Sequence, residues 1–314
     1  MNSILVTRKL PSSVLSKLEA VGDVDLYTGD AAMPADELRA RIVGKRAVVS
    51  MLTEQIDKTV LDAASELAIV ANVAVGYNNI DVPYARARGV IVTNTPDVLT
   101  ESVADFTWAL ILALTRRLSE GERLLRRGDW KGWAFDFILG TELRGKQLGL
   151  IGFGRIGRAV AARASVFGVR VVWSTWRETE LPAMAQLSLD RLLNTSDIVS
   201  LHVPLTPETR HLIDKRALTR MKRSAYLINT ARGPVIDEEA LAWALEHRLI
   251  AGAALDVYEH EPAVHPALLQ LENVLLVPHL GSGTVETRTA MADLAVDNVV
   301  AVLSGQPALT PVSA

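Results

Sequence analysis

The sequence predicts an α/β protein of two domains, each built on a parallel sheet. Three observations predict it. A chain of 314 residues exceeds the usual reach of one hydrophobic core. Short β-branched runs alternate with stretches of helical spacing in the opening third and again from Gln147 onward, the pattern of parallel strands flanked by helices. A G-x-G-x-x-G at Gly152, Gly154 and Gly157 closes an apolar run just before a helical one.

The elements follow in order. Residues 3–7, 47–50, 68–71 and 90–93 read as buried parallel strands, and 11–20, 34–43, 57–64 and 82–88 between them as helices. Pro11, Pro34 and Pro83 stand where a first-turn proline is tolerated. Asn94-Thr95-Pro96-Asp97 is a turn cluster and marks a hinge. One long helix is expected over 102–126. Residues 128–140, with Trp130, Trp133, Phe135 and Phe137, are aromatic but aperiodic. An arm packed on another surface and a well-buried surface loop both account for them. The second series places strands at 147–152, 170–174, 198–201, 226–229, 252–254 and 274–276, with helices at 156–167, 188–194, 215–221 and 237–246. A last helix over 284–304 ends at Gly305, and Pro307 and Pro311 prevent its continuation.

Composition narrows the function. A net charge of −3 lacks the basic excess of a nucleic-acid binder. The absence of cysteine excludes disulfides and thiolate chemistry and suits a reducing compartment. The N-terminus lacks the order of a secretory signal, and the apolar stretch from Trp108 to Leu114 is far short of the roughly 20 residues that span a bilayer. A cytoplasmic protein without membrane or nucleic-acid partners is expected, and no metal site.

The glycine motif suits a dinucleotide. Gly152 permits the tight turn, Gly154 lets backbone approach a pyrophosphate, and Gly157 allows close helix–strand packing, while the helix N-terminus offers N–H groups to the phosphates. At the end of the next strand, Ser174, Thr175 and Arg177 stand where an acidic residue would favour NAD. Hydroxyls and a cation suit a 2′-phosphate, so NADP(H) is favoured and NAD(H) stays possible.

Three strand ends carry candidate chemistry. Arg232, in Asn229-Thr-Ala-Arg232-Gly233, can hold a carboxylate with its planar fork. Asp256, Glu259, His260 and Glu261 crowd four ionisable groups into six residues. His279, between Pro278 and small residues, suits proton donation near neutral pH. His202 also ends a strand and is its rival, whereas His211, His247, His260 and His265 lie in polar contexts and read as solvated.

With these residues the chain resembles the D-isomer-specific 2-hydroxyacid dehydrogenase family, and within it the glyoxylate/hydroxypyruvate reductases. The matching segments are Val75-Gly76-Tyr77-Asn78-Asn79-Ile80-Asp81, Asn94-Thr95-Pro96, the glycine motif, His202-Val203-Pro204-Leu205-Thr206, Asn229 to Gly233, Asp256 to Pro262 and Pro278 to Ser282. The resemblance implies a Rossmann-type NAD(P)-binding domain over 99–283, inserted in a discontinuous flavodoxin-like substrate domain of 1–98 plus 284–314 that closes on it. It implies a homodimer formed through the helix and arm at about 100–145. It also implies reversible reduction of a small 2-keto acid to the D-2-hydroxy acid. Arg232 would clamp the substrate, and His279 would be the acid–base group with Glu261 as its partner. Leu52 and the backbone of Val75 and Gly76 would complete the substrate contacts. The cofactor would lie along Thr100, Gly152, Gly154, Arg155, Ile156, Gly157, Ser174, Thr175, Arg177, His202, Val203, Pro204, Thr209, Thr230, Ala231, Arg232, Asp256, His279 and Gly281.

The chain departs from the family pattern at Thr175, which replaces a common Asp, at Trp176, where NADP-using relatives often carry Arg, and at Asp105, which replaces Glu. A phosphoglycerate dehydrogenase is the enzymatic alternative, with little room in the chain for the regulatory region many of those carry. A nucleotide-sensing, corepressor-like binding protein is the alternative from another class, and turnover separates it from an enzyme.

Overall fold

In the computed structural model, which describes residues 2–175 and 185–312, the β-branched runs of the opening third form a five-stranded parallel sheet. In chain order its elements are β1 (Asn2–Val6), α1 (Ser12–Glu19), β2 (Gly22–Leu26), α2 (Ala35–Arg41), β3 (Ala47–Ser50), α3 (Lys58–Ala63), β4 (Ile69–Asn72), α4 (Val82–Ala87) and β5 (Ile91–Thr93). The strand order is β2-β1-β3-β4-β5, the flavodoxin-like order. Asp57 and Asp81 start α3 and α4 by accepting the backbone N–H of Val60 and Tyr84, the usual N-cap chemistry. Leu5, Val48, Val70 and Val92 line one buried face with Leu38, Leu61 and Ala85 from the helices. Strand β2 is absent from the sequence-based reading. Its Gly-Asp-Val-Asp-Leu carries two aspartates, and as an edge strand it is only partly buried, so no apolar run announces it.

The second series begins with α5 (Thr100–Thr115) and α6 (Leu118–Arg126), which correct the single long helix expected there. Arg117 takes a left-handed conformation, with φ at 52°. The Thr115 carbonyl is drawn out of the helix ladder by the Thr141 N–H at 2.8 Å. Then follow β6 (Gln147–Ile151), α7 (Arg155–Ala164), β7 (Arg170–Ser174), β8 (Ala185–Gln186), α8 (Leu189–Thr195), β9 (Ile198–Leu201), α9 (Lys215–Arg220), β10 (Tyr226–Asn229), α10 (Glu238–Glu246), β11 (Gly252–Leu255) and β12 (Val274–Leu276). The sheet runs β12-β11-β10-β9-β6-β7-β8, parallel throughout. Its order reverses between β6 and β9, the switch point at which such sheets bind ligands. Trp108 on α5 donates its indole N–H to the Val160 carbonyl of α7 at 2.9 Å and stacks on Phe167, so α5 is part of this unit's core.

The chain then returns to the first sheet. Helix α11 (Val285–Leu303), capped by Thr284, packs on α1, β3 and β4, and Lys17 of α1 pairs with its Asp293 and Asp297 at 3.0 and 2.9 Å. The chain therefore divides into Met1–Leu99 with Thr284–Ala314, and Thr100–Gly283. Among the described residues no helix is long and apolar enough to cross a membrane.

Candidate active site

Each glycine of the motif answers a separate steric demand. Gly152 follows β6 with φ at +93°, and a Cβ there would lie 2.5 Å from the His202 carbonyl oxygen. A Cβ on Gly157 would meet the Gly152 carbonyl oxygen at 2.5 Å, so α7 starts hard against the turn. Gly154, the N-cap of α7, faces open space. Its backbone stands at the positive end of a 10-residue helix whose first N–H groups are those of Arg155 and Ile156. A pyrophosphate fits such a cradle, because no side chain fills it.

The end of β7 forms the second part. Ser174 and Thr175 line an open groove of about 500 Å³ with Gln186, Leu187 and Ser188, and among the described residues that line it there is no carboxylate. Arg177, the predicted cation, lies outside the described residues, as does Trp176. His202 follows β9 with its Nε2 at 2.9 Å from Ser200 Oγ. Burial pushes its pKa down to about 3, so the ring is neutral at pH 7 and unsuited to donating a proton there. Val203 is buried behind Gly152, and the Pro204 carbonyl accepts the Thr209 hydroxyl at 2.7 Å. Thr209 is itself buried, with its hydroxyl spent inside that turn. It shapes this turn from within and presents no free hydroxyl at its surface. Thr100 is the first residue of α5.

At the next strand ends the predicted histidine and carboxylate come together. His279 Nδ1 lies 2.9 Å from Glu261 Oε2, and the other Glu261 oxygen accepts the Tyr258 N–H at 3.1 Å. Burial pushes the Glu261 carboxyl up, but the His279 ring, the Tyr258 N–H and the Arg232 charge together hold it below the usual range. A carboxylate only accepts, so Nδ1 carries its proton and Nε2 is the exchangeable nitrogen. His279 itself has φ at +54°. That turn is held by Asp256, whose buried carboxylate accepts the N–H groups of Leu280 and Gly281, the latter at 2.8 Å, while its carbonyl accepts the His279 N–H at 2.9 Å. Burial pushes the Asp256 carboxyl up, against those amides.

Arg232 is set by a residue the sequence reading passed over. Asn229, 1% exposed at the end of β10, accepts the Ala231 N–H at 3.0 Å and donates to the Arg232 carbonyl at 2.9 Å. Thr230 meets Thr107 of α5, hydroxyl to hydroxyl, at 3.1 Å. A Cβ on Gly233 would fall 1.8 Å from the Tyr258 carbonyl carbon, so the Arg232 turn is seated directly on the loop that carries Glu261. Burial pushes the guanidinium below the ordinary arginine range, and Glu261 opposes that. His211 lies in a polar setting, with its Nε2 2.6 Å from the Glu259 carboxylate.

In the other unit, Leu52 follows β3 and Val75 and Gly76 follow β4, neighbouring strands with Ser50 opposite Asn72. The Val75 carbonyl accepts from Asn94 Nδ2 at 2.8 Å and the Gly76 carbonyl from Asn72 Nδ2 at 2.9 Å. A trans peptide aims its N–H opposite to its carbonyl, so the Gly76 N–H points away from Asn94. Among the described residues no cluster of His, Asp and Glu is placed to hold a metal ion.

Residues 108–281 match the family model of the D-isomer specific 2-hydroxyacid dehydrogenase NAD-binding domain. The whole chain is similar to curated glyoxylate reductases: 49% identical to that of Thermofilum pendens over 98% of this chain and 93% of the relative, and 45% identical to that of Thermococcus kodakarensis over 96% and 93%. Among solved structures, an NADPH-dependent glyoxylate/hydroxypyruvate reductase of Sinorhizobium meliloti in complex with NADP and malonate superposes with a TM-score of 0.91 at 39% identity, covering 99% of this chain and 97% of that one.

Proposed function

The chain belongs to the D-isomer-specific 2-hydroxyacid dehydrogenase family, and on that premise we propose that it reduces small 2-keto acids, glyoxylate and hydroxypyruvate foremost, to D-2-hydroxy acids. The observation that carries this reading is the His279–Glu261 pair, with Arg232 close enough to lower the Glu261 carboxyl. Arg232 binds the carboxylate and keto oxygen of the substrate through its planar fork. His279 donates the Nε2 proton to the oxygen that becomes the hydroxyl, and Glu261 keeps Nδ1–H in place and stabilises the imidazolium. Leu52 and the backbone of Val75 and Gly76 take the rest of the substrate.

A nicotinamide dinucleotide supplies the hydride when bound. Gly152, Gly154, Arg155, Ile156 and Gly157 hold its pyrophosphate. Ser174 and Thr175 would meet its adenosine ribose, and among the described residues that line their groove the place is taken by hydroxyls and an amide, which supports a preference for NADPH over NADH. Val203, Pro204, Thr230, Ala231, Asp256 and Gly281 border the rest of its path. We further propose a homodimer formed through the aromatic arm: Trp133 and Phe135 are 82% and 86% exposed, a large apolar surface for a lone chain to leave in water.

The test is a panel of glyoxylate, hydroxypyruvate, pyruvate, 3-phosphohydroxypyruvate, 2-ketoisocaproate and phenylpyruvate, each with NADPH and NADH. The reading expects the highest kcat/KM for glyoxylate or hydroxypyruvate with NADPH. A maximum at the phosphorylated acid or at phenylpyruvate reassigns the substrate within the family, and no turnover of any of them overturns the enzymatic reading.

A further inference from the structure

Glu54, 2% exposed, is a buried acid that the proposed chemistry does not use. A buried charge persists only where hydrogen bonds replace its hydration. Here Oε2 accepts the Thr7 hydroxyl at 2.7 Å and the Met51 N–H at 2.8 Å, and Oε1 accepts the Thr53 hydroxyl at 2.7 Å. Two of those three donors belong to the short loop after β3 that carries Leu52. Asn79, 4% exposed, grips the same loop by its carbonyls, donating Nδ2 to Met51 O at 3.1 Å and to Glu54 O at 2.9 Å. Asn79 closes the segment after β4 that begins with Val75 and Gly76. The two loops leave adjacent strands and are joined by the Asn79 amide, while the Glu54 carboxylate holds the Leu52 loop in shape for it and ties that loop to Thr7 at the end of β1.

We propose that Glu54 is a positioning residue: with Asn79 it fixes the spacing between the Leu52 loop and the Val75–Gly76 loop, and thereby sets which third substituent of a keto acid is accepted. The inference rests on the reading that these loops take the substrate. Glu54 makes no substrate contact of its own. It acts through the Met51 N–H, which fixes the peptide on which Leu52 is presented.

The test compares Glu54→Ala, Glu54→Gln and Leu52→Ala for kcat and KM with glyoxylate and 2-ketoisocaproate at saturating NADPH, with NADPH affinity by fluorescence alongside. Displacing a substrate wall by about an ångström costs on the order of 10²-fold. Glu54→Ala is expected to lower kcat/KM for glyoxylate by about that factor, mainly through KM, and to narrow its advantage over 2-ketoisocaproate, with NADPH affinity unchanged. Glu54→Gln keeps an oxygen for Thr7 and Met51 and meets Thr53 with an amide that its hydroxyl can accept, so it is expected to restore the selectivity ratio. Thr53→Ala removes one donor at an exposed position and is expected to move the ratio the same way by less, which keeps the test open should Glu54→Ala not fold. A Glu54→Ala enzyme that is less stable but unchanged in ratio and KM, while Leu52→Ala alters both, overturns the positioning role alone. If Leu52→Ala also leaves both unchanged, the substrate reading of these loops fails with it.

Discussion

Replacing His202 by asparagine separates the two histidines that follow strands of the second sheet, after β9 and after β12. Burial lowers His202 from 6.5 to about 3, so below pH 6.5 the unfolded chain binds a proton that the folded chain refuses. The sign follows from linkage: the contribution to stability is complete above pH 6.5 and is lost progressively as the pH falls toward 3. The slope for one proton is about 1.4 kcal/mol per pH unit, or about 2 kcal/mol between neutrality and pH 5. His202 keeps some accessible surface, so solvent screening makes that figure a ceiling. The assay is urea unfolding of the wild type and His202→Asn at pH 7 and pH 5, with the His202 ring followed by NMR over the same range. The stability difference between the two proteins should shift in favour of the variant at pH 5. The His202 ring signals should hold still while exposed histidines titrate. A His202 resonance that titrates near 6.5, with no pH-dependent stability difference, would refute the reasoning and return His202 to candidacy as the proton donor.

Three further outcomes are expected. Arg232→Lys keeps the charge but loses the paired donors, and at the usual worth of a hydrogen bond to a charged group should lower kcat/KM for glyoxylate by about 10–100-fold, read by steady-state kinetics. Thr175→Asp puts a carboxylate beside the proposed 2′-phosphate position and should reverse the cofactor preference toward NADH, measured as the ratio of the two kcat/KM values. Phe135→Asp charges the exposed arm, and by sedimentation the variant should have half the mass of the wild type.

What was legible in the sequence was local. The three glycines could be assigned roles because each role depends on backbone within a few residues, and the clash distances at Gly152 and Gly157 follow from the turn they share. Strands β3, β4, β9 and β11 were legible because they are buried along their whole length. The break at Arg117 was not, because the N–H that takes the Thr115 carbonyl there comes from Thr141, 24 residues beyond the break. Strand β2 was hidden by its aspartates. At the site, Arg232 and His279 stood out as reactive types at strand ends, whereas the pairing of His279 with Glu261, 18 residues apart, came from the resemblance. Asn229 and Asn79 stood only as members of matching segments, and Glu54 not at all, because a buried amide or carboxylate looks polar in a sequence. Only the carbonyls and N–H groups it meets in the fold reveal what it holds. A carboxylate or amide just beyond a β-branched run is the one cue that points to them.

The proposed chemistry depends most directly on the acid–base role of His279. The measurement is the single-turnover rate of glyoxylate reduction by His279→Gln at saturating NADPH, against the wild type, with substrate and cofactor affinities determined separately. General acid catalysis of this kind is worth on the order of 10²–10⁴-fold. The predicted result is a rate lower by that factor, with NADPH affinity preserved. A rate within a few-fold of the wild type would contradict the account and place the proton on another group.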